Sequence, residues 1–158
     1  MKYTFDSTHI IDSHFIAEEY FPVIVEFSSE ELNNHFIEFN YTDTDMIELS
    51  ADPKTNALKR FSLTLCNHYE IVDAKMIIPD SIEGSITLLG PDVTECKCFL
   101  AKVYSDGVEI KLSDTVADHY LKTGQLIFAL SEDNELSSVY ITDLSEHDID
   151  HVKCELSI

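Results

Sequence analysis

Glycine is scarce in this sequence, and the glycine-rich loops that bind phosphate or present a nucleophile are missing with it. Four glycines occur in 158 residues. The chain contains no Gly-x-Gly-x-x-Gly, no Gly-x-Ser-x-Gly and no His-Glu-x-x-His motif, which are the patterns of dinucleotide, hydrolase and zinc-peptidase sites. We therefore expect a binding protein that is not an enzyme and that carries no cofactor.

Basic residues are also few. Ten Lys and Arg residues stand against 30 Asp and Glu residues, which gives a formal net charge of −20. Such a surface repels nucleic acid and anionic membranes, and it accelerates encounter with cationic molecules. The sequence thus predicts a basic partner and neither a nucleic-acid nor a membrane partner. The alternative, that the charge only keeps the protein soluble, would need far less charge, because a magnitude of about 2–8 suffices for a small domain.

Long apolar runs and an export signal are absent as well. No stretch approaches the roughly 20 apolar residues that span a bilayer, and residues 1–6 lack the apolar run of a signal peptide. We expect a cytoplasmic protein that folds as a single domain over residues 1–158. The four cysteines suggest no compact disulfide framework and are expected to be free thiols. They are Cys66, Cys96, Cys98 and Cys154.

Alternation of apolar and polar residues with a period of two is the dominant pattern. It predicts strands at residues 23–27, 37–41, 47–51, 61–66, 108–112 and 139–141. Residues 126–130 are apolar on both faces, which indicates a central strand. The short connections between these segments favour an antiparallel meander.

Two connections have a more specific signature. Asp106-Gly107 predicts a two-residue type I′ hairpin turn between strands at residues 98–105 and 108–112, because glycine tolerates a positive φ. Residues 79–92 contain two of the four prolines and two of the four glycines. They predict a long irregular and mobile loop.

Helices are predicted only near the two ends. Residues 7–21 carry apolar residues among polar ones at a spacing that favours a helix. Near the other end, Ser145 and Asp148 resemble a capping box, and Ile149, Val152 and Leu156 form an apolar stripe. The predicted fold class is therefore α+β, a predominantly antiparallel sheet with an N-terminal and a C-terminal helix.

Two groups of residues have the spacing of metal-binding or reactive sites. His147, His151 and Cys154 share one stripe of the C-terminal helix, which suits a soft divalent ion, but no fourth ligand is indicated. Cys66 and His68 alternate on a strand, yet no orienting group or anion hole accompanies them. We predict no catalytic residue and no metal site, and we leave open whether the three helix residues bind a metal.

Acidic residues gather at predicted turns and element ends, where their side chains can project together. A surface that imitates the spacing of phosphates would bind a cationic toxin or nuclease quickly and compete with its substrate. The candidate partner-binding residues are Glu30, Glu31, Asp43, Asp45, Glu132, Asp133, Glu135, Asp143, Glu146, Asp148 and Asp150.

Three motifs within residues 45–157 resemble small bacterial immunity proteins of contact-dependent growth inhibition and related polymorphic toxin systems. They are Ile47-Glu48-Leu49-Ser50-Ala51-Asp52-Pro53-Lys54-Thr55-Asn56, Leu63-Thr64-Leu65-Cys66-Asn67-His68-Tyr69 and Val139-Tyr140-Ile141-Thr142-Asp143-Leu144-Ser145. The resemblance implies an acidic cytoplasmic antitoxin. Its partner would be a cognate basic toxin C-terminal domain, often a nuclease, whose active site or substrate groove it blocks. No functional residue transfers position by position.

Two other functions stay open on the sequence. One is a small β-rich ligand-binding or enzymatic domain with a pocket between sheet and helix. The other is a structural subunit in which residues 37–41 form an exposed edge strand that pairs with a second copy. For the immunity function we expect a monomer or weak dimer.

Overall fold

The computed structural model describes residues 1–27 and 34–157. Within these residues fifteen strands form three sheets, and one helix, α1 (Glu146–Leu156), follows them. In chain order the strands are β1 (Lys2–Asp6), β2 (His14–Phe15), β3 (Val23–Glu26), β4 (His35–Tyr41), β5 (Asp45–Ala51), β6 (Leu58–Leu65), β7 (Tyr69–Ile71), β8 (Ile82–Glu83), β9 (Ser85–Gly90), β10 (Val93–Glu95), β11 (Leu100–Val103), β12 (Val108–Lys111), β13 (His119–Thr123), β14 (Leu126–Leu130) and β15 (Leu136–Ile141).

The six-stranded sheet has the order β10-β4-β5-β6-β3-β2. Its centre is the antiparallel meander β4–β5–β6. The predicted alternation is confirmed there: Ile47 and Leu49 of β5 are buried, whereas Met46 and Glu48 are half-buried on the opposite face. The predicted edge position of residues 37–41 is wrong, because β4 pairs with β5 on one side and in parallel with β10 on the other.

The seven-stranded sheet has the order β7-β11-β12-β15-β14-β13-β8. All five residues of β14 are buried and the strand is paired on both sides, which confirms the predicted central strand. A continuous antiparallel meander is wrong, because β7 and β8 join the sheet in parallel and β12 lies beside β15. Alternation predicts which face of a strand is buried, but it carries no information on which strand lies beside it.

Residues 79–92 form strands where a mobile loop was predicted. β8 pairs with β13, and β9 pairs with β1 in a separate two-stranded sheet. Ile86 and Leu88 of β9 are buried in the core. Gly84, between β8 and β9, lets the chain pack closely against β1, because a Cβ atom at this position would collide with the ring of Phe5. This glycine therefore reflects close packing within the sheets.

One hydrophobic core joins the sheets. Ile37, Ile47 and Phe61 of the six-stranded sheet belong to the same cluster of buried side chains as Ile110 and Phe128 of the seven-stranded sheet. Each large sheet thus buries one face against a common core, in the manner of a β-sandwich. The opposite face of the six-stranded sheet is partly exposed at Phe36, whereas both faces of β14 in the seven-stranded sheet are buried.

The hairpin between β11 and β12 is confirmed, but its turn is not type I′. Tyr104 N donates to the Gly107 carbonyl over 2.8 Å, and neither Asp106 nor Gly107 has a positive φ. The glycine is required for space instead. A Cβ atom at Gly107 would lie 2.5 Å from Met76 Cε and 2.8 Å from the Ile141 carbonyl oxygen.

The C-terminal helix is confirmed, with its capping box. Ser145 Oγ accepts a hydrogen bond from Asp148 N over 3.1 Å, and the Asp148 carboxylate accepts one from Ser145 N over 3.0 Å. Ile149, Val152 and Leu156 are buried in the common core. The apolar stripe therefore fixes α1 against the sandwich.

The predicted N-terminal helix over residues 7–21 is wrong. β2 pairs with β3, Ile16 N donates to the Ile24 carbonyl over 2.9 Å, and Ser13 Oγ accepts a hydrogen bond from Gln125 N over 2.8 Å. The edge of β3 offers unpaired backbone groups, and pairing with it satisfies hydrogen bonds that a short isolated helix holds only weakly. The predicted α+β class with two helices is accordingly wrong: the described residues are mostly β with a single C-terminal helix.

Candidate functional site

The structure places the eleven predicted partner-binding carboxylates in different settings. Glu30 and Glu31 lie outside the described residues, and Asp45 is buried at 1% exposure. The other eight fall into two groups. The loop-end cluster is Asp43, Glu132, Asp133 and Glu135, and the helix-end cluster is Asp143, Glu146, Asp148 and Asp150.

Asp45 holds two connections together. Its Oδ1 accepts hydrogen bonds from Asn67 N over 2.7 Å and His68 N over 3.0 Å, and its Oδ2 accepts them from Thr44 Oγ1 over 2.7 Å and His68 Nδ1 over 2.6 Å. Burial favours the neutral acid and would raise the pKa of Asp45. The hydrogen bonds outweigh burial and hold the pKa below its ordinary value. This carboxylate is structural and does not face a partner.

The loop-end cluster begins with the connection between β14 and β15. Glu132 and Asp133 are exposed there, and Glu135 is half-buried. The Glu135 carboxylate accepts a hydrogen bond from Thr115 Oγ1 over 3.1 Å. The β12–β13 connection therefore lies beside this loop and adds Asp114, an exposed carboxylate that pairs with Lys111 over 2.8 Å.

The contacts of Cys96 place the Asp43 turn at the same end of the molecule. Cys96 N donates to the Asn40 carbonyl over 2.6 Å, and Asn40 lies just before the β4–β5 turn that carries the exposed Asp43. Burial raises the pKa of the Cys96 thiol to about 11, and the nearby charge of Glu135 adds to this. Cys96 is thus bonded to the strand that leads into the Asp43 turn, and it lies close enough to Glu135 for that charge to act on its pKa.

The helix-end cluster has a structural explanation. Asp148 completes the capping box, and Glu146 lies in the first turn of α1. Negative charge at this position stabilises a helix through the helix dipole and the free backbone N–H groups. Asp143 and Asp150 are exposed on either side. These carboxylates would be favourable here whether or not a partner binds.

The two clusters lie at opposite ends of the seven-stranded sheet. β15 begins at Leu136, directly after Glu135, and ends at Ile141, shortly before Asp143. A strand of six residues spans roughly 20 Å. The predicted carboxylates therefore do not form one continuous acidic face.

An exposed apolar residue accompanies the loop-end cluster. Val116 is 85% exposed, and it follows Thr115, the residue bonded to Glu135. Protein interfaces commonly combine an apolar centre with a charged or polar rim. The helix end also has an exposed apolar residue nearby, because Ile77 is 90% exposed and follows Met76, whose N–H donates to the Asp106 carboxylate beside Leu144.

Among the described residues, few carboxylates form ion pairs with Lys or Arg. Between described residues, ion pairs with Lys or Arg engage Glu18, Asp52 and Asp114. The formal net charge of the chain is −20. Most of the negative charge therefore remains available to a cationic molecule in solution.

The residues with metal or nucleophile spacing are engaged in other contacts. His151 Nε2 donates to the Phe21 carbonyl over 3.0 Å, and in residues 1–27 and 34–157 no three His, Cys, Asp or Glu side chains are arranged to hold a metal ion. His68 Nδ1 donates to Asp45. Burial raises the pKa of the Cys66 thiol to about 12, with the negative charge of Asp45 adding to it. A thiol with so high a pKa is a poor nucleophile.

A polar pocket of about 320 Å³ opens on the outer face of the six-stranded sheet, where no site was predicted. Phe36, Ser50 and Arg60 are neighbours across β4, β5 and β6, and Glu48 and Ser62 form the adjacent row. The other described residues that line it are Glu18, Phe21, Asn34 and Lys59. None belongs to α1, so this pocket is not the predicted one between sheet and helix.

Hydrogen bonding in the pocket is incomplete. Asn34 Oδ1 and Ser50 Oγ are buried without a partner. Glu48 lies opposite Glu38 in the β4–β5 register. Burial raises the pKa of Glu48, the charge of Glu38 raises it further, and Arg60 opposes both effects. Like charges directly opposite each other destabilise a sheet, so this face carries a local cost in the unbound protein.

Sequence reasoning missed the pocket for a physical reason. Glu48, Ser50 and Arg60 occupy the polar positions of alternating strands, which normally face solvent. The depression arises because the N-terminal segment crosses this face and Glu18 Oε2 bonds to Arg60 Nη2 over 3.2 Å. The only early signal was the facing pair of glutamates, which requires the strand register to be known.

Comparison with known proteins leaves the chain without a family. No protein-family model matches the sequence, and no curated protein is significantly similar to it. Within the described residues, α1 is neither long nor apolar enough to cross a membrane.

Proposed function

We propose that this protein is an immunity protein, a cytoplasmic antitoxin that binds a cognate basic toxin C-terminal domain and neutralises it. The observation that carries the proposal is the charge: −20 overall, with only Glu18, Asp52 and Asp114 in Lys or Arg ion pairs between described residues. A cationic enzyme that acts on phosphates would meet this surface rapidly and in competition with its substrate.

The loop-end cluster is the better docking site of the two. Its carboxylates come from separate connections that the fold brings together, and Val116 supplies an exposed apolar centre. The helix-end carboxylates, by contrast, are accounted for by the stability of α1. We therefore assign partner binding to Asp43, Glu132, Asp133 and Glu135, and we leave Asp45 and Asp148 out of it.

Charge reversal tests this assignment. The toxin candidate is a basic domain encoded next to this chain, and binding is measured by calorimetry at several salt concentrations. Glu132→Lys/Asp133→Lys should weaken binding by at least about tenfold, because it reverses two charges at a steered interface. The matched control, Glu146→Lys/Asp150→Lys, makes the same change of charge at the other end and should have a smaller effect. Equal losses in both variants, or affinity that does not fall with salt, would contradict the docking site.

Neutralisation is tested separately in cells. Expression of the toxin candidate should arrest growth, and co-expression of this chain should restore it. Rescue should fail with the loop-end reversal and persist with the helix-end reversal. If the chain binds the domain but never restores growth, binding has no antitoxin role.

A second candidate function rests on the polar pocket. A ligand-binding domain would use the buried, unpartnered Asn34 Oδ1 and Ser50 Oγ to orient a small polar molecule. Screening uncharged and anionic small ligands for an increase in melting temperature, with Ser50→Ala as the control, tests this function, because a ligand that binds only the folded protein stabilises it.

A further inference from the structure

Four carboxylates, those of Glu18, Glu38, Glu48 and Asp52, lie in or beside the polar pocket against two basic residues. Its two basic lining residues already have carboxylate partners: Arg60 Nη2 lies 3.2 Å from Glu18 Oε2, and Lys59 Nζ lies 3.6 Å from Asp52 Oδ2. Glu48 forms no ion pair within 4 Å between described residues and faces Glu38; the charge of Arg60 only partly offsets the effects of burial and Glu38 on its pKa. The uncompensated charge on this face is therefore negative.

The unpartnered polar atoms lead to the same conclusion. Ser50 is 4% exposed and its Oγ has no hydrogen-bond partner, and Asn34 Oδ1 is buried without a donor. A buried polar atom without a partner costs free energy that a ligand can recover. An anionic ligand would have to compete with the carboxylates that already pair with Arg60 and Lys59, and Glu48 and Glu38 would repel it. A cationic ligand with several N–H groups satisfies the carboxylate, the amide oxygen and the hydroxyl together.

The shape of the pocket favours one cation over others. Phe36 lies beside Ser50 in the register and is 50% exposed, so a ring lines the same depression. A guanidinium group is planar, presents five N–H donors in a fixed fork and stacks on aromatic rings, whereas an ammonium group is a compact and strongly hydrated charge. Acceptors on β5 and on the segment before β4, together with a ring, suit the planar group.

We infer that this pocket is a guanidinium site that receives one arginine side chain of the partner. The inference rests on the proposed function, because that function names a cationic protein as the source of the arginine. The β4–β5 hairpin carries both surfaces, with Asp43 at its turn and Glu48, in β5, five residues after Asp43. At about 3.4 Å per residue they lie roughly 17 Å apart along the strand. An interface of standard size, about 800 Å² on each partner, covers both.

The experiment uses the full chain and N-acetyl-arginine amide as the probe, followed by NMR chemical shifts and calorimetry. Saturable shifts at Glu48 and Ser50 are expected. The citrulline analogue has the same length without the charge, and it should bind at least about tenfold more weakly, since hydrogen bonds to charged groups are the stronger ones. N-acetyl-lysine amide should also bind more weakly than the arginine probe; equal binding would overturn the guanidinium assignment.

Matched variants locate the site. Glu48→Gln should weaken the arginine probe about tenfold or more while leaving the fold intact, because the substitution relieves the repulsion from Glu38. Glu83→Gln removes an exposed strand carboxylate from the other sheet and should leave binding unchanged. Equal loss in both variants would show only nonspecific attraction to an acidic protein. Binding of inorganic phosphate in the pocket would overturn the inference outright.

The outcomes separate this inference from the proposed function. Suppose that the toxin candidate binds, and that Glu48→Gln leaves both that complex and the response to the arginine probe unchanged. The guanidinium site is then refuted and the immunity function stands. If the probe binds in a Glu48-dependent manner and no basic toxin domain binds, the site stands and the proposed function is refuted.

Discussion

Substitution of Asp45 tests whether a buried carboxylate, chosen from the sequence as a docking residue, instead stabilises the fold. Asp45→Ala leaves the N–H groups of Asn67 and His68 without their acceptor. The substitution removes four hydrogen bonds to the carboxylate, each worth about 0.5–1.5 kcal/mol net, so the variant should lose about 2–6 kcal/mol of unfolding free energy. Against a typical total of roughly 5–15 kcal/mol, that loss is large.

Asp45→Asn is the sharper variant, because the amide oxygen can still accept both backbone hydrogen bonds. It loses the charge-assisted bonds from Thr44 Oγ1 and His68 Nδ1. Bonds to charged groups exceed neutral ones by about 1 kcal/mol each, so about 1–2 kcal/mol should be lost. Urea denaturation followed by far-ultraviolet circular dichroism measures both variants. Asp43→Asn, an exposed residue in the same turn, is the control and should change stability by less than about 0.5 kcal/mol.

The pH dependence gives an independent check on Asp45. Its pKa in the folded protein lies below its ordinary value, so the unfolded chain binds the proton more readily. The stabilisation is therefore fully present above the unfolded-state pKa of about 3.9 and is lost as the pH falls through the lower folded-state pKa. The wild type and Asp45→Asn should converge in stability in acid. Equal stability of Asp45→Asn and Asp43→Asn at neutral pH would refute the reasoning.

Three further predictions follow from the contacts. Ser145→Ala should cost about 1 kcal/mol in urea denaturation, because it removes the N-cap of α1; an unchanged midpoint would show that the buried stripe alone holds the helix. At pH 8, Cys154, which is exposed, should react with a thiol reagent well before Cys66, whose pKa burial raises to about 12; mass spectrometry of the labelled peptides gives the order. Gly107→Ala should lower the melting temperature despite the residue's ordinary φ, because the added Cβ would lie 2.5 Å from Met76 Cε; a neutral substitution would mean that Met76 moves aside.

Where local chemistry decides the structure, the sequence was sufficient. Ser145 and Asp148 predicted the start of α1, because both partners of a capping box lie within one turn. Residues 126–130 predicted a central strand, because an apolar run on both faces is stable only where both faces are covered. The candidate site was less predictable, because the sequence indicates the acidic turns but not their positions relative to one another.

Only the tertiary structure decided which distant segments pair with each other. Residues 7–21 became extended because the edge of β3 offered them backbone partners, and Asp45 was buried because the connection at Asn67 and His68 crosses over it. The division of the acidic residues between the two ends of β15, and the pocket under Glu18, likewise depend on which strands lie together. Composition and alternation determined the charge, the buried faces and the helix; the register between remote strands determined which side chains meet, because hydrogen bonds between strands carry no local sequence code.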